Sequence, residues 1–250
     1  MLKEVKNLFS FLTAIPIKMD EDVLTDSAKY MFLFPLIGAF IGLIAGFFGW
    51  FTLYFLPSLV AGALVLGLLL LITGLHHTDG LLDFGDGIMA HGSAERKIQV
   101  MHDQLTGAGG LSLGIITFLI TALSIAELNS VMIIQGLVVV EVSAKLSMVI
   151  GASAGKSLHR GMSSSFLEAM RGKQGTARLI VALTFSFGIA LSFLWLTGVA
   201  IILASIVTSL VIVEIAHKHF QAVTGDVLGA TNELTRMISL VTLLAAMGWM

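Results

Sequence analysis

Apolar residues in this chain come in long uncharged runs, at 31–56, 58–75, 111–126, 179–213 and 238–250. One further run, 131–151, is interrupted only by Glu141 and Lys145. The run at 179–213 breaks at Thr197–Gly198, which makes seven hydrophobic segments in all. Each is expected to be a helix, because backbone N–H and C=O groups in lipid must pair within their own segment. A span needs about 20 apolar residues. The last run has only 13, so it must tilt, start earlier or pack against its neighbours. The N-terminal stretch LFSFLTAIPI is too short to span and is not followed by a small-residue cleavage site, so it reads as an interfacial or re-entrant segment. The pattern predicts an all-α, polytopic integral membrane protein, a single domain over residues 1–250 with about seven hydrophobic helical segments.

The connections alternate in character. Those near 57, 129–130 and 197–198 are short and carry no Lys or Arg. Those at 1–30, 76–110, 152–178 and 214–237 are longer and polar, and hold thirteen of the fourteen Lys and Arg and all seven histidines. The positive-inside rule places all four on the cytoplasmic side of a cell membrane crossed several times. Every acid except Glu127 and Glu141 lies in them too, so the polar chemistry is expected on one face.

Composition sharpens this. Hydrophobic residues make up 56% of the chain and charged residues 12%, about half the share of a soluble domain. A net charge of −2 argues against a nucleic-acid partner. The absence of cysteine removes disulfides, thiolate metal sites and a cysteine nucleophile. Gly38, Gly42 and Gly46 form a close-packing stripe for a neighbouring helix, in the same chain or in a second copy, so a homo-oligomer is left open. Glu141 and Lys145 are four apart, an order that suits an intrahelical ion pair.

The densest chemistry is TGLHHTDGLLDFGDGIMAHG, residues 73–92. Taken as a helix continuing from the second span, it puts Asp83 about 40° from Asp79, Asp86 about 20° to the other side and His76 about 60° away, while His77 points elsewhere. Three like charges on one face repel, and a divalent cation is the economical compensation. Hard carboxylate oxygens suit Mg²⁺, which binds through a few carboxylates plus substrate phosphates, better than Zn²⁺. Asp79, Asp83 and Asp86 are therefore the expected metal ligands. An ion-coupled transporter is the rival reading of such acids, but these sit at a helix end, away from the midplane where a transporter would use them.

The other polar connections supply complementary groups. ERKIQVMHDQLTGAGG offers Arg96, Lys97, His102 and Asp103, then a glycine-rich helix start whose amides can bind phosphate. GASAGKSLHRGMSSSFLEAMRGKQG brings Lys156, His159, Arg160, Arg171 and Lys173. Its GKS lacks the first glycine of a P-loop and follows a membrane helix, so it reads as a basic loop for diphosphate or lipid headgroups. In TGDVLGATNELTR, Thr224 or Asp226 can cap a helix, and Asp226 and Glu233 share a face as a second carboxylate pair.

Four of these stretches resemble the cobalamin synthase, or adenosylcobinamide-GDP ribazoletransferase, family. They are FLTAIPI, FPLIGAFIG, GLHHTDGLLDFGDG and TGDVLGATNEL, spread over nearly the whole chain. Lys97, Asp103, Gly107 and Gly110 also fit the family's loop, whereas His102 stands for its usual arginine, Ala14 for another, and Arg236 for a frequent second glutamate. The resemblance implies Mg²⁺-dependent phosphoryl transfer. A hydroxyl of α-ribazole, or of its 5′-phosphate, would attack the cobinamide-linked phosphate of adenosylcobinamide-GDP, and GMP would leave. On that reading one of His76, Asp103 or Asp226 is the general base, and Lys97, Lys156 and Arg160 contact phosphate, with His102 and Glu233 near them. Membrane CDP-alcohol phosphotransferases are the alternative enzyme class, with a similar spacing of aspartates and a CMP leaving group.

Overall fold

The computed structural model describes residues 2–15, 23–157 and 162–248, and they are all-helical with no strand among them. In chain order the helices are α1 (Leu2–Leu12), α2 (Val23–Lys29), α3 (Phe34–Thr52), α4 (Ser58–Ile72), α5 (His76–Met89), α6 (Ala94–Met101), α7 (Ala108–Ala126), α8 (Met132–Ala154), α9 (Met162–Ala169), α10 (Gly172–Phe220) and α11 (Gly225–Met247). Each expected hydrophobic segment falls on one of these or on a limb of one. The helices at Met31–Thr52, Ala108–Ala126, Met132–Ala154 and Gly172–Phe220 are long and apolar enough to cross a membrane, and the bent pair α4–α5 makes a fifth if taken together. The short final run starts earlier than its apolar part, because α11 begins at Gly225.

α8 is the central helix, buried from Gly136 to Ala152 and packed against α3, α10 and α11. The α3 glycine stripe faces it. A Cβ on Gly42 would stand 2.5 Å from the Leu137 carbonyl oxygen, and one on Gly38 would meet the Glu141 carbonyl. The stripe is therefore spent within the chain. Seryl hydroxyls pin the other sides: Ser205 and Ser209 of α10 donate to the Ser143 and Ser147 carbonyls at 2.8 Å, and the Ser143 and Ser239 hydroxyls meet at 2.7 Å. Such small-residue contacts and interhelical hydrogen bonds are what hold helices together in lipid, where apolar burial gives no drive.

The buried charges of α8 and α11 form one network. Arg236 donates through Nε to Glu141 at 2.5 Å and through a terminal nitrogen to Glu233, Lys145 donates to Asn232 at 2.7 Å, and Asn232 donates to Glu233 at 3.0 Å. Glu141 and Lys145 stand 3.9 Å apart, so the expected ion pair is one edge of a larger set. Two anions and two cations balance, as a dry interior requires.

Two backbone turns depart from the sequence reading. α5 does not continue α4: the axes bend by 96° across Thr73–Leu75, where Gly74 and Leu75 take φ of 64° and 62°. The acidic helix is thereby turned out of the line of α4. α10 reverses at Trp195 (φ 52°, ψ −131°), two residues before the expected break. A Cβ on Gly198 would stand 2.2 Å from the Ala190 carbonyl oxygen, an approach a straight helix would not allow over eight residues, so the two limbs form a hairpin.

Candidate functional site

The motif HHTDGLLDFGDG folds as α5, and its glycines are where other helices touch it. A Cβ on Gly80 would stand 2.9 Å from the Asp226 Cα, one on Gly85 2.9 Å from the Gly110 Cα, and one on Gly87 2.5 Å from Met101 Cγ. So α11, α7 and α6 each close on α5 at a glycine. The helix carries its acids to a junction of four helices, with His76 and Asp79 exposed and Asp83 and Asp86 half-buried.

The three aspartates divide into different roles. Asp86 accepts the backbone N–H of Gly107 at 2.6 Å and of Gly110 at 2.8 Å, and so caps the start of α7. Those are the amides expected to be open to phosphate; here the carboxylate holds them. Asp83 is the electrostatic centre. Burial, then the negative charges of Asp226, Asp79 and Asp86, push its carboxyl up to about 7. Asp226, in the first turn of α11, is free of capping duty because Thr224 accepts the Val227 N–H instead. Burial raises the Asp226 carboxyl as well, opposed chiefly by the nearby charge of His102. No ion pair to Lys or Arg forms at any of these four acids among the described residues.

Among the described residues no three His, Asp or Glu side chains form a group that could hold a metal ion. The donors nonetheless suit a hard cation. Asp79, Asp83 and Asp226 present carboxylate oxygens that repel one another and form no Lys or Arg ion pair among the described residues, and Mg²⁺ completes its shell with water and substrate phosphate.

Beside the acids opens a cavity of about 570 Å³. His76, His77, Asp79 and Asp226 line one part, and Phe11, Phe34 and Phe166 line another. All four polar connections thus contribute to one hollow: α1, α5, α9 and the start of α11. His77 was expected to point away, at about 160° from Asp79. It does leave the acidic arc, but into this cavity. It is 7% exposed, its Nδ1 has no hydrogen-bond partner, and burial, then the charges of Lys145, Arg236 and His76, hold it neutral. Phe11 and Phe166 were missed too; only the apolar phase of their short helices hinted at them.

The remaining expected residues scatter. Lys97 is half-buried, with its ammonium 2.9 Å from His219 Nδ1 at the end of α10. Lys156 is exposed, and its backbone joins α8 to the α10–α11 turn, donating to His217 Nε2 at 3.2 Å and accepting from Val223 at 2.8 Å. His102 and Asp103 are exposed, and Asp103 accepts the Leu105 N–H at 3.2 Å. Arg160 lies outside the described residues. Glu233 is not brought to the site: it is 1% exposed, bound to Arg236 and Asn232, and two helical turns from Asp226.

Comparison with known proteins gives a consistent answer. The family model described as cobalamin-5-phosphate synthase matches residues 4–244. The chain is similar to the adenosylcobinamide-GDP ribazoletransferase of Methanococcoides burtonii, 34% identical over 98% of this chain and 93% of that one. It is likewise 34% identical to the enzyme of that name from Thermococcus kodakarensis, over 96% and 97%, and 32% identical to that of Methanosarcina mazei, over 95% and 90%. No solved structure matches it.

Proposed function

We propose that this chain, which belongs to the cobalamin-5-phosphate synthase family, joins adenosylcobinamide-GDP to α-ribazole or α-ribazole 5′-phosphate and releases GMP. The names of its relatives support the substrates. The observation that carries the chemistry is Asp83, set among the charges of Asp226, Asp79 and Asp86 with no Lys or Arg ion pair among the described residues, next to the Asp79 and Asp226 that line a cavity to which all four polar connections contribute. Phosphoryl transfer asks a protein mainly for positioning and charge neutralisation, and this site offers both.

Asp79 and Asp83 would hold Mg²⁺ on the diphosphate, with Asp86 bracing the helix that carries them. When bound, the cation would neutralise charge on the diphosphate oxygens. Asp226 lines the cavity and has a raised pKa, which suits it to take the proton from the attacking hydroxyl. As that oxygen bonds to the cobinamide-linked phosphorus, the bond to the GMP oxygen breaks. Lys97, Lys156 and Arg160 are the cations for the phosphate charge. The site faces the cytoplasm on this reading, where the Lys and Arg of the polar connections gather.

The test is nucleotide release by purified protein with Mg²⁺. GMP should appear only when adenosylcobinamide-GDP and α-ribazole are both present, stop on chelation and return with added Mg²⁺. Asp83→Asn should lower the rate by at least about a hundredfold with the fold intact. CMP from a CDP-linked lipid, without GMP from adenosylcobinamide-GDP, would overturn the assignment. An ion-coupled transporter would need its mid-helix charges open to water, and Glu141, Lys145, Glu233 and Arg236 are all closed to it.

A further inference from the structure

We propose that the cavity between α1, α5, α9 and α11 seats the aromatic base of the acceptor nucleoside, and that His77 is its hydrogen-bonding contact. The proposal rests on the reading above and adds where the acceptor sits and what recognises it.

Three observations lead there. The first is shape and size. About 570 Å³ is within the usual range for a small-molecule site. The second is a mixed lining. The rings of Phe11, Phe34 and Phe166 cluster with centroids 5.1–6.2 Å apart, a surface for a flat apolar heterocycle. Asp79 and Asp226 line the same cavity, where a ribose hydroxyl would meet the phosphate chemistry. The third is His77, 7% exposed on the cavity wall with Nδ1 unpartnered. A buried polar atom without a partner is costly, and a ligand that supplies one removes the cost. A neutral imidazole has one N–H to donate. The benzimidazole of α-ribazole has one ring nitrogen bonded to ribose and one free to accept, which the His77 N–H can meet.

Other occupants match less well. A lipid acyl chain leaves His77 unpartnered. Guanine brings several donors and acceptors that the three phenylalanine rings cannot answer, and the corrin fringe of amides is too polar for them as well. The GMP and corrin parts of the donor therefore lie outside this cavity.

Equilibrium dialysis of labelled α-ribazole against the full chain in lipid nanodiscs tests this without turnover. The unaltered protein should bind α-ribazole saturably, and free dimethylbenzimidazole should displace it while guanosine does not. His77→Leu and Phe166→Ala should each weaken α-ribazole binding by about tenfold and leave adenosylcobinamide-GDP binding within about twofold. In steady state the same variants should raise the KM for α-ribazole with little change in kcat. No binding by the unaltered protein, no displacement by dimethylbenzimidazole, or an equal loss of donor binding in the variants would overturn the proposal. If either variant fails to fold, displacement from the unaltered protein decides. A protein that binds α-ribazole but releases no GMP would refute the reaction and leave the seat standing.

Discussion

At the scale of single residues, the three aspartates of α5 look equivalent in the motif and are not. Asp86 spends its oxygens on the α7 amides, so Asp86→Ala should cost about 1–2 kcal/mol in thermal unfolding, with or without a cation, as lost helix caps do. Asp79→Ala, at an exposed position with no such bond, should leave stability nearly unchanged while impairing activity. Asp83 adds a pH dependence. Its folded-state pKa is about 7 against an ordinary 3.8, through burial and the charges of Asp226, Asp79 and Asp86, so ionising it works against the fold. The associated stability is full below about pH 4 and is lost as pH rises through 7. A cation that needs the ionised carboxylate reverses this. The rise in Tm on adding Mg²⁺ should grow from about pH 6 to about pH 8 and vanish in Asp83→Asn, which a melting series in both proteins would check.

At the scale of helices, the site is made by crossings. Gly80 admits the Asp226 backbone, which cannot swing aside as a side chain would, so Gly80→Val should part α5 from α11, lower Tm and abolish GMP release. Gly67→Ala, with nothing within 4 Å of the added carbon, should do neither. Helical arithmetic on the sequence put His76, Asp79, Asp83 and Asp86 on one arc and marked the α3 glycines as a packing face. It could not say which helix each glycine would meet, because that depends on residues far along the chain: Asp226 for Gly80, Gly110 for Gly85, Leu137 for Gly42. It also set Glu233 beside Asp226, since a shared face says nothing of the neighbour; Asn232 and Arg236 claim it instead. The Asp86 cap and the turn at Leu75 were hidden for a similar reason. A left-handed leucine leaves no mark in composition, and a carboxylate that binds amides looks in sequence like one that binds metal.

At the scale of the whole molecule, the two ends differ. The cavity and the aspartates of α5 and α11 occupy one. At the other, α3 finishes beside exposed Trp50, Tyr54 and Phe55, and the α10 hairpin turns at exposed Trp195, next to the start of α8. Aromatic residues of this kind gather at membrane–water interfaces. The chain has no cysteine, so single-cysteine variants carry no background. In intact cells an impermeant maleimide should label Tyr54→Cys and spare Glu95→Cys until the membrane is opened; the reverse pattern would turn the topology over. The buried network sets an order of biogenesis. Glu141 leaves the ribosome 95 residues ahead of Arg236, a lag of roughly five to twenty seconds at ordinary synthesis rates. For that interval the Glu141 carboxylate has only Lys145, 3.9 Å away, and no hydrogen bond from its arginine, in a place where buried charge is expensive. α11 is therefore the helix that lets the middle helix settle, and its arrival is a locking step at the core.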